Sequence, residues 1–285
     1  MSEALVLRRM DSVAAFLDAA GPFLVAREAE HCLTLGVASN LVADPDPAAE
    51  PPYLSVVTDR GTVVFAVLWT PPWQVVLSTC DHPGAVSLVV ADLAGRSMVG
   101  VHGPTEVARS FVADRSARTG EAVRLLLRER VFQLSTVTRP HGVPGTLRHA
   151  RPSDRDHLIG WLIAFEREAI GEATPRDPAD WIDRSLGGHG SRLYVWDDDG
   201  PVSVCGVGGL TPNGIRIGPV YTPPGLRRRG YASACVAAVS QAQLDAGRRF
   251  CFLFADIANR TSVHIYETIG YAPVSDVAVY RFDTP

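Results

Sequence analysis

The stretch Pro219 to Ser233, "PVYTPPGLRRRGYAS", packs three adjacent arginines into what reads as the first turn of a helix. A helix N-terminus carries roughly half a positive charge and free N–H donors, so cations in its first turn are unfavourable unless an anion lies among them. The spacing Arg227-x-x-Gly230-x-Ala232 supplies the remaining parts of an anion cradle. Backbone N–H groups point out of such a turn, Gly230 lets the backbone approach a diphosphate, and small Ala232 lets the helix lie close on its strand. Arg227, Arg228 and Arg229 add charge-assisted donors. The turn has neither the Gly-Lys-Ser/Thr of an ATP-binding loop nor the three-glycine spacing of a dinucleotide fingerprint. Taken alone it reads as a solvated basic helix start. Its setting favours a ligand, because Pro219 removes a ladder donor from the preceding strand and opens a gap beside it.

The elements that position this turn follow from the pattern around it. "IRIGPVY" leads in as a strand, "YASACVAAVSQAQLDAG" follows as a helix stopped at Gly247, and "FCFLFAD", apolar on both faces, reads as a buried central strand. Strand, helix and buried strand make a right-handed parallel crossover. "NRTSVHIYETIGY" is a short helix capped by Asn259 or Thr261 and ended at Gly270, before a last strand "DVAVYRF". Upstream lie a strand at Thr146–Arg151, helices from Asp154 to about Ala169 and from Ala179 to Leu186, and two strands joined at Asp199-Gly200. Proline and glycine gather in Thr138–Thr146, which sets a domain boundary between residues 1–140 and 146–285. Thr70-Pro71 and Thr211-Pro212 each separate two strands, and the matching element order makes an internal duplication the expected architecture. Trp69 and Trp73, flanking the first of these turns, are expected to offer an exposed apolar surface.

At 285 residues the chain has room for two cores, and its net charge of −4 argues against nucleic-acid or membrane-surface binding. All 27 basic residues are arginine, so a lysine nucleophile or Schiff base is excluded. The five scattered cysteines have no C-x-x-C spacing, which points to neither a disulfide framework nor a metal site. With no signal-like start and no apolar run of membrane length, a cytoplasmic protein is expected.

"VYTPPGLRRRGYAS" followed by "FADIANRTSVHIYETIGY" resembles the acetyl-CoA-binding core of the GCN5-related N-acetyltransferases, the GNAT superfamily, most closely over Ile215–Tyr271. The resemblance implies an α/β (α+β) fold of two tandem GNAT-like domains. Each would be a mixed, mostly antiparallel sheet flanked by helices, the N-terminal one degenerate and non-catalytic, the C-terminal one holding a βαβ acyl-CoA core. It implies acetyl-CoA as acyl donor. The pyrophosphate would rest on Arg228, Arg229, Gly230, Tyr231 and Ala232, with Arg227 and Ser233 at the edges. Val220 and Thr222, with Tyr221 between them, would meet the pantetheine arm near Asn259. Tyr266 matches the family's general acid, and a phenol of pKa about 10 is protonated at neutral pH. Arg216 stands where several members have a carboxylate, which leaves Glu166 and Glu168 as candidate bases, each also readable as a solvated helix charge. His264 is open between site and surface. The implied activity is N-acylation of a small-molecule or peptide amine. Transfer of another acyl group, as in glycine N-acyltransferase-like proteins or mycothiol synthase, and a non-catalytic CoA-binding sensor are the alternatives. In the N-terminal half, Asp81-His82-Pro83-Gly84-Ala85 stands where a second cradle would be. Asp81 repels phosphate and Pro83 lacks an N–H, so that turn is expected to cap its helix and bind no CoA.

Overall fold

The chain enters on β1 (Val6–Arg9) and turns into α1 (Val13–Ala26), whose first turn is fixed by Ser12 Oγ accepting the Ala15 N–H at 3.1 Å. The coordinates are those of a computed structural model and describe residues 5–45, 49–171 and 174–283. Phe16, Ala20 and Leu24, four residues apart, form the buried stripe of α1. Next come α2 (Cys32–Ala43), the strands β2 (Tyr53–Asp59), β3 (Thr62–Trp69) and β4 (Val75–Leu77), and α3 (Pro83–Asp92). β5 (Gly100–Pro104), α4 (Thr105–Thr119) and β6 (Val123–Leu134) complete the first series.

The second series repeats the order. It runs β7 (Thr146–His149), α5 (Arg155–Phe165), α6 (Pro178–Leu186), β8 (Arg192–Asp197), β9 (Pro201–Leu210), β10 (Gly214–Tyr221), α7 (Tyr231–Asp245), β11 (Phe250–Asp256), α8 (Arg260–Ile269) and β12 (Ala272–Phe282). Strand, two helices, three strands, helix, strand, helix, strand occurs twice, and Thr70-Pro71 and Thr211-Pro212 both fall between the second and third strands of that trio. Among the described residues no helix is long and apolar enough to cross a membrane.

Two compact units result. The described residues of Met1–Val131 and Val274–Pro285 form the first, and Phe132–Pro273 the second. In the first unit the strand order is β1-β2-β3-β4-β5-β12, with β12 inserted between β5 and β6. In the second it is β7-β8-β9-β10-β11, followed by the end of β6. The division differs from a cut at Thr138–Thr146: β12 leaves the half that encodes it and pairs antiparallel with β5, from Val277 opposite Pro104 to Arg281 opposite Gly100. Arg130 and Asp276 fasten it further, at 2.6 and 3.1 Å.

Alternation along the strands sorts side chains to two faces in each unit. In the first, Leu54, Val56 and Leu68 meet α1 and α2, whereas Val57, Phe65 and Val67 meet α3 and α4. In the second, Val195 and Val204 meet α5 and α6, whereas Cys205, Ile215 and Leu253 meet α7 and α8. Trp69 is not an exposed surface, contrary to expectation. Its ring is buried and its indole N–H donates to Trp73 O at 2.8 Å, because a hydrogen-bonded tryptophan is more stable in the core than in water; Trp73 is half-buried.

One buried histidine ties a helix pair to the first sheet. His31 Nε2 accepts the Thr79 N–H at 3.1 Å, so its proton is on Nδ1, which donates to Leu24 O at 2.9 Å. Burial draws the imidazole down to about 4. The unfolded chain, with a histidine near 6.5, takes up a proton that the folded chain refuses. The stabilisation is therefore complete above about pH 6.5 and is lost as pH falls towards 4. Unfolding free energy from urea titrations is expected to drop by about 2.5 kcal/mol between pH 7.5 and 4.5 through this group. His31→Gln should flatten the drop; an equal slope in parent and variant assigns acid sensitivity to other groups.

Candidate functional site

β10 and β11 pair in parallel over three residues only, Gly214–Arg216 against Phe250–Phe252. Ile217–Tyr221 and Leu253–Asp256 continue without pairing to each other. On its other side β10 pairs antiparallel with β9, and the register breaks between Ile217 and Val220, at Gly218-Pro219. The break needs a small partner. A Cβ on Gly206 would lie 2.7 Å from Gly218 O, so a side chain there would push the bulged carbonyl aside. Val220 and Tyr221 resume the ladder opposite Cys205 and Val204.

The arginine turn follows directly. After a short 3₁₀ turn at Pro224–Leu226, Arg228 has φ +65° and Gly230, the N-cap of α7, has φ +83°. The three arginines thus precede the helix and do not form its first turn, since a left-handed residue cannot continue into an α-helix and Gly230 fixes the start at Tyr231. The first ladder bond of α7 runs from the Ala234 N–H to Gly230 O at 2.9 Å. Backbone N–H groups from Arg228 to Ser233 have no acceptor among the described residues. Arg228 and Arg229 are exposed. Arg227 is committed: Nε donates to Thr222 O at 2.8 Å, a terminal nitrogen lies 2.6 Å from Glu168 Oε2, and the guanidinium stacks 5.5 Å from the Tyr221 ring centre. Tyr231 is buried with its hydroxyl donating to Asp198 Oδ2 at 2.5 Å, so the β8–β9 turn braces the helix start.

The two glutamates lie where α5 widens into a π-turn, Glu166–Ile170, an irregularity that recurs at functional sites. Glu166 is buried, accepts from Thr174 Oγ1 at 2.7 Å and has Arg176 at 3.8 Å. Glu168 accepts the Tyr221 hydroxyl at 3.1 Å besides pairing with Arg227, and the Arg227 hydrogen bond holds its carboxyl below the usual range. Tyr266 packs its ring against Phe132 and Tyr271 in the core on the α7/α8 face. Burial raises its phenol above the ordinary value. Asn259 spends its side chain as the cap of α8, Oδ1 accepting the Ser262 N–H at 3.1 Å. His264 is exposed. The Tyr221 carbonyl accepts from Ser203 Oγ at 3.1 Å, and the Ser203 and Thr222 hydroxyls bond at 2.8 Å. The Glu168–Tyr221–Arg227 network, Asp198 and the requirement for Gly206 escape a reading of the sequence, because each depends on segments far apart along the chain. Among the described residues no group of three or more His, Cys, Asp or Glu is placed to hold a metal ion.

The equivalent place in the first unit is built differently. A Cβ on Gly103 of β5 would lie 2.7 Å from Leu77 Cβ, so β4 and β5 stay close at the end of their pairing. The Thr79 N–H just beyond β4 is taken by His31. Asp81 does not cap α3: the N-cap is His82, with no side-chain cap bond, and Pro83 opens the helix.

Comparison with known proteins agrees with this architecture. The FR47-like protein family model matches residues 207–280, which hold β10, the arginine turn, α7, β11 and α8. A Drosophila protein from a structural genomics programme has the same fold, with TM-score 0.69 and 12% identity over 98% of this chain and 99% of that one. A GCN5-related N-acetyltransferase from Sphaerobacter thermophilus gives 0.60 and 17%, over 99% and 96% of the two chains. A tandem GNAT protein from the clavulanic acid biosynthesis pathway gives 0.54 and 12%, over 99% of each. No curated protein matches in sequence.

Gly230 is constrained twice, by its φ and by Val143, whose Cγ2 would lie 2.8 Å from an added Cβ. Gly230→Ala is expected to lower unfolding free energy by about 2 kcal/mol, about half from the left-handed backbone and half from crowding. Adding Val143→Ala should restore only the second part, read from urea midpoints. Full recovery in the double variant would show that the backbone carries no strain.

Proposed function

We propose that this chain, whose fold is that of the GCN5-related N-acetyltransferases in tandem, is an acyl-CoA-dependent N-acyltransferase that moves an acetyl group from acetyl-CoA to an amine. The observation that carries the reading is the short β10–β11 pairing with a turn of unaccepted N–H groups and exposed arginines beyond it. A diphosphate fits the Arg228–Ser233 turn because backbone donors, a helix start and two guanidiniums meet there. The unpaired edges of Ile217–Tyr221 and Leu253–Asp256 offer the hydrogen bonds of a missing strand to an extended amide-bearing arm.

The chemistry assigned to the chain's residues is direct attack. The amine nitrogen forms a bond to the thioester carbonyl carbon, the carbonyl electrons pass to oxygen, and backbone N–H groups beside the bulge, that of Tyr221 among them, stabilise the oxyanion. On collapse the C–S bond breaks and Tyr266 gives its proton to the departing thiolate; its raised pKa keeps that proton in place through neutral pH. The acceptor's proton goes to Glu166 in preference to Glu168, since a carboxylate ion-paired at 2.6 Å is a weak base. A second reading, a CoA-binding module without turnover, is favoured by Arg216, which stands on β10 where a carboxylate base would serve, its guanidinium packed against Gly209. The first unit takes no part in CoA binding on either reading, since its turn donor, the Thr79 N–H, is used by His31 and Pro83 at the start of α3 has none.

Tyr266→Phe is expected to lower kcat by roughly 100-fold with CoA affinity near that of the parent, measured as free CoA released with saturating amine. Unchanged kcat would move the acid to water or another residue. Calorimetry of the full chain with acetyl-CoA should give one site per chain. Two sites, or loss of binding on Asp81→Ala, would place a cradle in the first unit.

A further inference from the structure

α7 begins without a side-chain cap, whereas α1, α6 and α8 are capped by Ser12, Asp177 and Asn259. A capping oxygen would take a backbone N–H of the first turn, one of the donors that a diphosphate needs. The helix start is held instead by a side-chain bond that uses no backbone donor. Tyr231, the first residue of α7, buries its ring in the α7/α8 core and donates its hydroxyl to Asp198 Oδ2 in the β8–β9 turn at 2.5 Å. That hydrogen bond raises the Tyr231 phenol, so the hydroxyl stays the donor through neutral pH.

The turn that carries Asp198 is itself fixed. Asp197 Oδ1 accepts the Gly200 N–H at 3.1 Å, the Asp198 N–H donates to Gly200 O at 2.9 Å, and Asp197 Oδ2 accepts from Arg148 Nε of β7 at 2.6 Å. Arg148 also pairs with Asp154, just before α5, at 2.6 and 3.0 Å. A Cβ on Gly145 would lie 2.6 Å from Asp197 O and 3.1 Å from Asp198 Cβ, so the chain entering β7 lies directly on the turn. Asp198 is thus a stationary acceptor. Its charge opposes a diphosphate while its hydrogen bond orients the helix start, and the two effects separate on substitution.

We infer that Asp198 is a positioning residue for the diphosphate cradle: through the Tyr231 hydroxyl it fixes the direction in which the first N–H groups of α7 point. The inference rests on the acyltransferase reading and deepens it. In the first unit the corresponding position, the first of α3, is Pro83, which has neither an N–H nor a hydroxyl.

The test is the CoA affinity of the full chain by calorimetry, taken well below the thermal midpoints of the parent and of each variant so that loss of global stability does not enter. Tyr231→Phe keeps the ring and Asp198→Ala removes the acceptor; each is expected to weaken CoA binding by about tenfold, the worth of one hydrogen bond. The double variant should lose no more than either alone, because both changes break the same bond. Asp198→Asn keeps an acceptor and removes the repelling charge, so it should bind CoA at least as tightly as the parent. Unchanged affinity in Tyr231→Phe overturns the inference, as do additive losses in the double variant. Equal effects of Asp198→Ala and Asp198→Asn overturn it too, by reducing Asp198 to a nearby charge. In each of these cases a parent that binds CoA keeps the cradle. A parent that binds no CoA overturns the acyltransferase reading and this inference with it.

Discussion

A strand inside a sheet presents N–H and C=O groups that must be paired on both edges, and the structure is organised around one place where this requirement is left open. Toward β9, β10 is paired along its length with register shifts at Ile215/Arg216 and at Gly218-Pro219, and toward β11 it is paired for three residues only. The rest follows from keeping that opening in shape. Gly206 makes room for the bulged carbonyl, Ser203 takes up the Tyr221 carbonyl, and Arg227 reaches back to the Thr222 carbonyl. Without these side-chain donors the end of β10 would carry unsatisfied acceptors close to a hydrophobic core, each costing about 1–3 kcal/mol. Those side chains leave Ile217–Tyr221 without a partner only on the side that faces β11.

The two halves show how one framework either keeps or loses such an opening. Both carry the same ten elements in the same order, yet in the first Leu77 packs against Gly103 just past the two paired residues of β4–β5. The difference is a matter of a few side chains. A glycine that permits separation in one half permits close approach in the other, and a histidine in the first unit occupies the donor that would otherwise face outward. The same order of elements thus carries different local packing in the two halves.

Much of this was legible in the sequence, and the illegible part has a common cause. The parallel crossover around α7 could be read because the apolar run Phe250–Asp256 has one physical solution, a strand covered on both faces. The αL stop residue Gly270 and the cap at Asn259 were likewise local. By contrast, Trp69 looked exposed from its proline-rich neighbours, but the carbonyl that receives its indole N–H becomes available only when the turn folds. The start of α7 was misplaced by the width of the arginine run, because the sequence marks Gly230 as permissive without saying that it adopts φ +83°. Glu168 could be recognised as a candidate acid or base, but not as a partner of Arg227, 59 residues away. Local chemistry announces elements; distant pairing must be folded to be seen.

The insertion of β12 between β5 and β6 bears on how the molecule is made. A ribosome delivers the first unit's helices and strands β1 to β6 long before Ala272–Phe282, yet the slot between β5 and β6 is filled only by that strand. Until then β5 and β6 expose facing edges, the kind of surface that invites pairing with other chains. The first half is therefore the last to finish. A chain that lacks β12 leaves the first unit's sheet open between β5 and β6.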